Sequence, residues 1–128
     1  MRQLARQLPD TIGFTPETTF RLSTDTFLEP DFVLYDTAVG LEGLNGPTCL
    51  LAIEIADTSL DYDKGPKALI FSGFGVTELW VIDAVTHVTT IHRDPTPTGY
   101  RRVVEVFPDN ALTALKVPGL ELRLAEYA

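Results

Sequence analysis

From Cys49 to Ala56 the chain reads Cys-Leu-Leu-Ala-Ile-Glu-Ile-Ala, apolar at every position but Glu54. A bounded run of this length predicts a central strand buried on both faces. Thr and aromatic content predicts strands over residues 18–22 and 32–35. A fourth strand is expected over residues 78–83. Residues 87–92 alternate and should pair back on it through a turn at 84–86. After a turn at residues 95–99 another strand spans 100–107, and the alternating tail 119–124 reads as an edge strand. Helical spacing appears twice. Leu4, Ala5 and Leu8 predict a short helix that Pro9 ends. A second helix should start near Asp63 or Lys64, carry Pro66 in its first turn, and stop at Gly73 or Gly75. Gly40 to Pro47 holds three glycines and a proline, and reads as a loop. The sum is one α/β domain with a mixed sheet and one well-marked central helix.

Period-two sorting puts Cys49, Leu51, Ile53 and Ile55 on one face and Leu50, Ala52, Glu54 and Ala56 on the other. Two alanines beside Glu54 leave room for a cleft. A carboxylate within a buried strand is costly without a positive partner. Pro30-Asp31 stands at the entrance to the strand at residues 32–35. If Asp31 and Glu54 meet, like charges ~4 Å apart repel by about 4 kcal/mol at an effective dielectric of ~20. One would then take up a proton unless a cation intervenes. Magnesium or manganese suits such oxygen donors, with the Ile55 carbonyl a natural third ligand. Such an ion activates water and neutralises charge on a scissile phosphate. Lys64 and Lys67 sit in the first turn or so of the expected helix, where a cation is unfavourable by ~0.3–1 kcal/mol. A local violation of this kind is where function is expected. Lys67 could position the attacking water and stabilise developing charge. Each residue also has a structural reading. Pro-Asp is a common strand entry, Glu54 could pair with a buried cation, and Lys67 could be a solvated helix residue. Asp57, Asp61 and Asp63 read first as caps and turn formers, although Asp63 could hold Lys67.

Composition narrows the choice. The 128 residues are 45% hydrophobic and 22% charged, the profile of an ordinary soluble domain. No stretch approaches the ~20 apolar residues of a membrane span, and the N-terminus lacks a signal-peptide core. The single cysteine, Cys49, lies in an apolar run and reads as a core residue in a cytoplasmic protein. The net charge of −8 argues against simple, strong nucleic-acid binding, although a bound metal and a local basic patch can offset a global field. His87 and His92 fall on opposite faces of a strand and make a poor metal pair. Trp80 reads as core. Arg93, Arg101 and Arg102 are a solvated hairpin face or a modest phosphate contact. Gly-rich phosphate loops, Gly-x-Ser-x-Gly and cysteine clusters are all lacking.

Four segments in order carry a resemblance. They are Glu29-Pro30-Asp31-Phe32-Val33, Leu51-Ala52-Ile53-Glu54-Ile55, Asp61-Tyr62-Asp63-Lys64-Gly65-Pro66-Lys67, and Gly75-Val76-Thr77-Glu78-Leu79-Trp80-Val81-Ile82-Asp83. Together, over roughly residues 18–124, they resemble the Uma family, bacterial proteins catalogued as putative restriction-endonuclease-like. The resemblance implies the PD-(D/E)XK nuclease fold, a mixed sheet flanked by helices with C-terminal hairpins, often dimeric. It implies a magnesium- or manganese-dependent endonuclease acting on DNA, with Asp31 and Glu54 as metal-binding acids. The usual motif lysine would stand two residues after the glutamate, where this chain has Ala56. The family supplies it from the next helix, at the position of Lys67, and Asp63 matches a position near the site. Family members carry further N-terminal strands, so this front end looks shortened. That leaves a catalytically inactive binding or oligomerisation module as the alternative.

Overall fold

The computed structural model describes residues 6–16, 20–21, 27–57 and 60–127. The first expected helix falls mainly on residues 1–5, outside the described residues. Six strands form one mixed sheet: β1 (Ile12–Pro16), β4 (Phe32–Asp36), β5 (Cys49–Ala56), β6 (Glu78–Asp83), β7 (Thr89–Thr96) and β8 (Gly99–Val106), in the order β1-β4-β5-β6-β7-β8. Of these neighbours only β5 and β6 are parallel, and the helix joins them. Within the strand expected over residues 18–22, Phe20–Arg21 form β2, which pairs with β3 (Phe27–Leu28), and residues 18, 19 and 22 lie outside the described residues. β1 was not anticipated, because it contains Gly13 and Pro16. Both are tolerated on an edge strand. Gly13 lies opposite Tyr35, and a Cβ there would stand 2.3 Å from the Tyr35 ring, so a larger residue would displace it.

The helix α1 has three parts: an α-helical turn (Leu60–Tyr62), a π-helical stretch (Asp63–Lys67) and a return to α (Ala68–Gly73). It starts earlier than expected, so Pro66 lies inside it rather than in its first turn. Proline lacks the N–H that an α-ladder needs, and the wider π stretch is where the helix accommodates it. The end is as expected. Gly75, at φ 80°, donates from its N–H to Ser72 O, and Val76 N–H donates to Phe71 O, closing the helix with left-handed backbone that favours glycine.

The predicted alternation in β5 breaks at Leu50. Leu34 pairs with Leu51 but Tyr35 pairs with Cys49, so Leu50 is an extra residue, a bulge. Cys49 therefore turns to the helix side with Ala52 and Ala56, and Leu50 packs on the other side with Leu51 and Ile53. The sorting expected from period two holds from Leu51 onward and fails before it. Cys49 is fully buried and its thiol is pushed up to about 12, chiefly by burial. A thiol reagent should label it only as the protein unfolds, so labelling in denaturant should track the loss of circular dichroism. Rapid labelling of the native protein would contradict this packing.

Two apolar layers sandwich the sheet. On one side α1 places Ala68 and Phe71 over Val33, Ala52, Leu79 and Val81. On the other, the tail does not extend the sheet as an edge strand. β10 (Val117–Leu122) pairs with β9 (Leu112–Ala114), and this hairpin covers Leu34, Leu51, Ile53 and Trp80. Buried Val117, Leu120 and Leu122 lie on the sheet, their spacing shifted by an irregularity in the β9–β10 register. Among the described residues, α1 thus covers one side of the sheet and the C-terminal β9–β10 hairpin the other.

Candidate active site

The buried acid at Glu54 sits on the helix side of β5, between the small side chains of Ala52 and Ala56. Lys67, at the end of the π stretch of α1, reaches down to it, with Nζ 3.0 Å from Glu54 Oε1. The same ammonium lies 3.8 Å from Asp63 Oδ1, one turn earlier on the helix. Asp63 is itself buried, so it faces the site rather than capping the helix in solvent. The β4–β5 register, in which Phe32 pairs with Ile53, brings Asp31 level with Glu54 one step further on. Asp31 Oδ2 accepts a hydrogen bond of 2.6 Å from Ile55 N–H. A residue's N–H and C=O leave a strand on the same side, so the Ile55 carbonyl is directed toward the edge that holds Asp31. Asp31, Glu54, Ile55 and Lys67 thus converge from β5, α1 and the entrance to β4, although 36 residues separate the first from the last.

Burial pushes the Glu54 carboxyl up to about 7. Lys67 opposes this and the charges of Asp31 and Asp63 add to it. Although the ion pair is short, Glu54 Oε1 is buried and accepts no well-aligned hydrogen bond. Lys67 experiences the reverse balance. Burial acts to lower its pKa, but Glu54, Asp63 and Asp31 outweigh it and the net shift is upward. Lys67 is therefore an ammonium at neutral pH. It is suited to orienting and charge stabilisation, not to accepting a proton.

A hard divalent cation fits this donor set: carboxylate and carbonyl oxygens, with one buried carboxylate oxygen under-satisfied. Among the described residues no three His, Cys, Asp or Glu side chains group closely enough to hold a metal unaided. Any ion here would lean on the Ile55 carbonyl and on water or substrate oxygens. Ala56, two residues after Glu54, is fully buried, and the cation at Glu54 comes from the helix as Lys67.

A third buried acid stands apart from this cluster. Glu78 is fully buried. Its Oε2 accepts from Trp80 Nε1 at 2.7 Å and from Arg93 Nε and Nη2 at 3.1 and 3.0 Å, and its Oε1 accepts from Leu115 N–H at 2.9 Å. Arg93 Nη2 also donates to Thr113 O at 2.8 Å. The Glu78-x-Trp80 pair and Arg93 therefore anchor the β9–β10 hairpin. Trp80 is core, as its surroundings suggested, and Arg93 is not a free phosphate contact. The signal was available: an acid bordering an apolar run, where Glu54 lies within one. His92 is buried on β7 with its ring beside Tyr100, while His87 lies in the preceding turn, so the two do not form a site.

The fold is an α/β domain built on a six-stranded mixed sheet. The chain belongs to the Uma2 family, described as "putative restriction endonuclease", whose sequence model matches residues 1–125. A solved structure with the same fold is that of a putative nuclease of the DUF820 group from Anabaena variabilis, with a TM-score of 0.70 and 14% sequence identity. The match covers 91% of this chain and 67% of that one. No curated protein matches.

Proposed function

We propose that this protein is a metal-dependent endonuclease that hydrolyses phosphodiester bonds in DNA. The observation that carries the proposal is the convergence of Asp31, Glu54 and the Ile55 backbone beside the Lys67 ammonium, with Glu54 buried and under-satisfied. Asp31, Glu54 and the Ile55 carbonyl would hold magnesium or manganese. When bound, such an ion supplies Lewis-acid polarisation of the phosphate and a bound water of lowered pKa. Lys67, kept charged by its three carboxylate neighbours, donates to the attacking water or to a phosphate oxygen as negative charge builds there. Asp63 holds Lys67 in place from the same helix.

The net charge of −8 favours a second reading, a nuclease fold kept as a binding module. Plasmid cleavage with magnesium or manganese separates the two. Lys67→Ala should slow cleavage by about 100-fold or more, the usual penalty for losing one preorganised donor to a developing charge. Glu54→Ala and Asp31→Ala should abolish both cleavage and the rise in melting temperature that metal produces by binding the folded state. A wild-type melting temperature indifferent to millimolar metal defeats the metal site. A metal-induced shift without cleavage selects the binding module.

A further inference from the structure

The sheet has two edges, and they differ. β1 is five residues long and ends in Pro16, which cannot donate to a neighbouring strand. β8 is eight residues long, pairs with β7 in one unbroken register, and contains no proline. Among the described residues no strand lies on its outer side. Residues 101–105 are all exposed, with Val103 and Val104, which point to opposite faces, 54% and 53% exposed. Phe107, just past the strand, is 57% exposed. A long, regular edge with apolar side chains on both faces is a template for strand addition.

The charges on β8 say which strand fits. When a strand pairs antiparallel with its own copy about a two-fold axis, one residue must lie opposite itself. Centred on Val103, the pairing sets Val103 against Val103 of the partner subunit. Arg101 then faces Glu105 of the partner subunit, and by symmetry Glu105 faces Arg101 of the partner subunit. Both ion pairs lie on the face that carries Val103, and directly opposed unlike charges stabilise a strand pair. On the other face Arg102 lies opposite Val104 of the partner subunit. Moving the centre to Val104 would instead set Glu105 against Val103 and Arg101 against Phe107, leaving both charges unmatched. Lys64 approaches Glu105 at 3.6 Å from α1, but Glu105 remains 55% exposed and available.

We propose that β8 is a self-association edge: two copies pair antiparallel through β8, centred on Val103, to join their sheets into one of twelve strands. The mixed charges on this edge protect it against unrelated strands and fit its own copy.

Sedimentation equilibrium of the full chain tests this. The wild type should be a dimer whose dissociation constant weakens as salt rises. Arg101→Glu and Glu105→Arg should each weaken dimerisation at least tenfold, because each sets like charges opposite one another. The double variant Arg101→Glu/Glu105→Arg should restore it. Both positions changed are exposed, and unchanged circular dichroism and melting in dilute solution check that each variant folds. A wild type that stays monomeric at ~100 μM, a weak affinity by the standards of specific dimers, overturns the proposal. So does a dimer indifferent to either single swap, or one that the double swap does not rescue.

Discussion

Replacing Glu78 with alanine should destabilise the protein by about 3–5 kcal/mol, the range for breaking a buried ion pair by removing one partner. The reason lies in what remains. Arg93 keeps its charge with only the Thr113 carbonyl for company, and the Trp80 N–H and Leu115 N–H lose their acceptor. A buried donor without a partner costs about 1–3 kcal/mol. Domains of this size are stable by only about 5–15 kcal/mol, so urea unfolding should show a large fall in midpoint. The β9–β10 hairpin depends on this anchor and should lose amide-exchange protection first. Glu78→Gln should be milder, since its amide oxygen keeps an acceptor for one of the Trp80 and Leu115 N–H groups, although its NH2 faces the other and Arg93 is left unbalanced. The double variant Glu78→Ala/Arg93→Ala should be less destabilised than the sum of the two single changes, because the stranded charge goes with its partner. Additive single effects would mean that the network is not coupled as its geometry indicates.

Without metal, stability should fall as pH rises from about 5 to 8. The sign follows from Glu54. Its carboxyl is raised from 4.5 to about 7 in the folded protein. Between those values the folded state binds a proton that the unfolded state has released, so raising the pH favours unfolding. The stability is fully present below the unfolded value and is lost by the time pH passes about 7. One pKa unit corresponds to about 1.4 kcal/mol. The change is about 2–3 kcal/mol after a discount for the water that reaches Lys67, which is 18% exposed. Glu54→Gln should remove most of this slope. A divalent ion must displace the same proton to bind, so the manganese-induced rise in melting temperature should be larger at pH 8 than at pH 6. Matching pH profiles for wild type and Glu54→Gln would mean that Glu54 titrates in the ordinary range. A manganese effect independent of pH would place the ion elsewhere.

Much of the candidate site was legible in the sequence because burial and charge conflict there. Glu54 stands out as an acid in an apolar run, and Asp31 as an acid at a strand entry. The helix following the run placed Lys67 at a position unfavourable for a cation. What the sequence did not convey was contact. Asp63 looked like a cap, and its burial beside Lys67 depends on α1 starting at Leu60 and widening into a π stretch around Pro66. Glu78 was passed over because its cation, Arg93, lies on the next strand, where only the β6–β7 register brings Glu78 and Arg93 opposite each other.

The same division runs through the fold. Local patterning determined β5, β6, the hairpin strands and the glycine-closed end of α1, because hydrophobic period and left-handed glycine backbone act over a few residues. Tertiary structure alone decided the bulge at Leu50, which turned Cys49 to the other face, and the docking of β9–β10 across the sheet instead of along its edge. These outcomes rest on pairings between segments far apart in the chain. There the register is set by which side chains can be buried and which buried polar groups find partners.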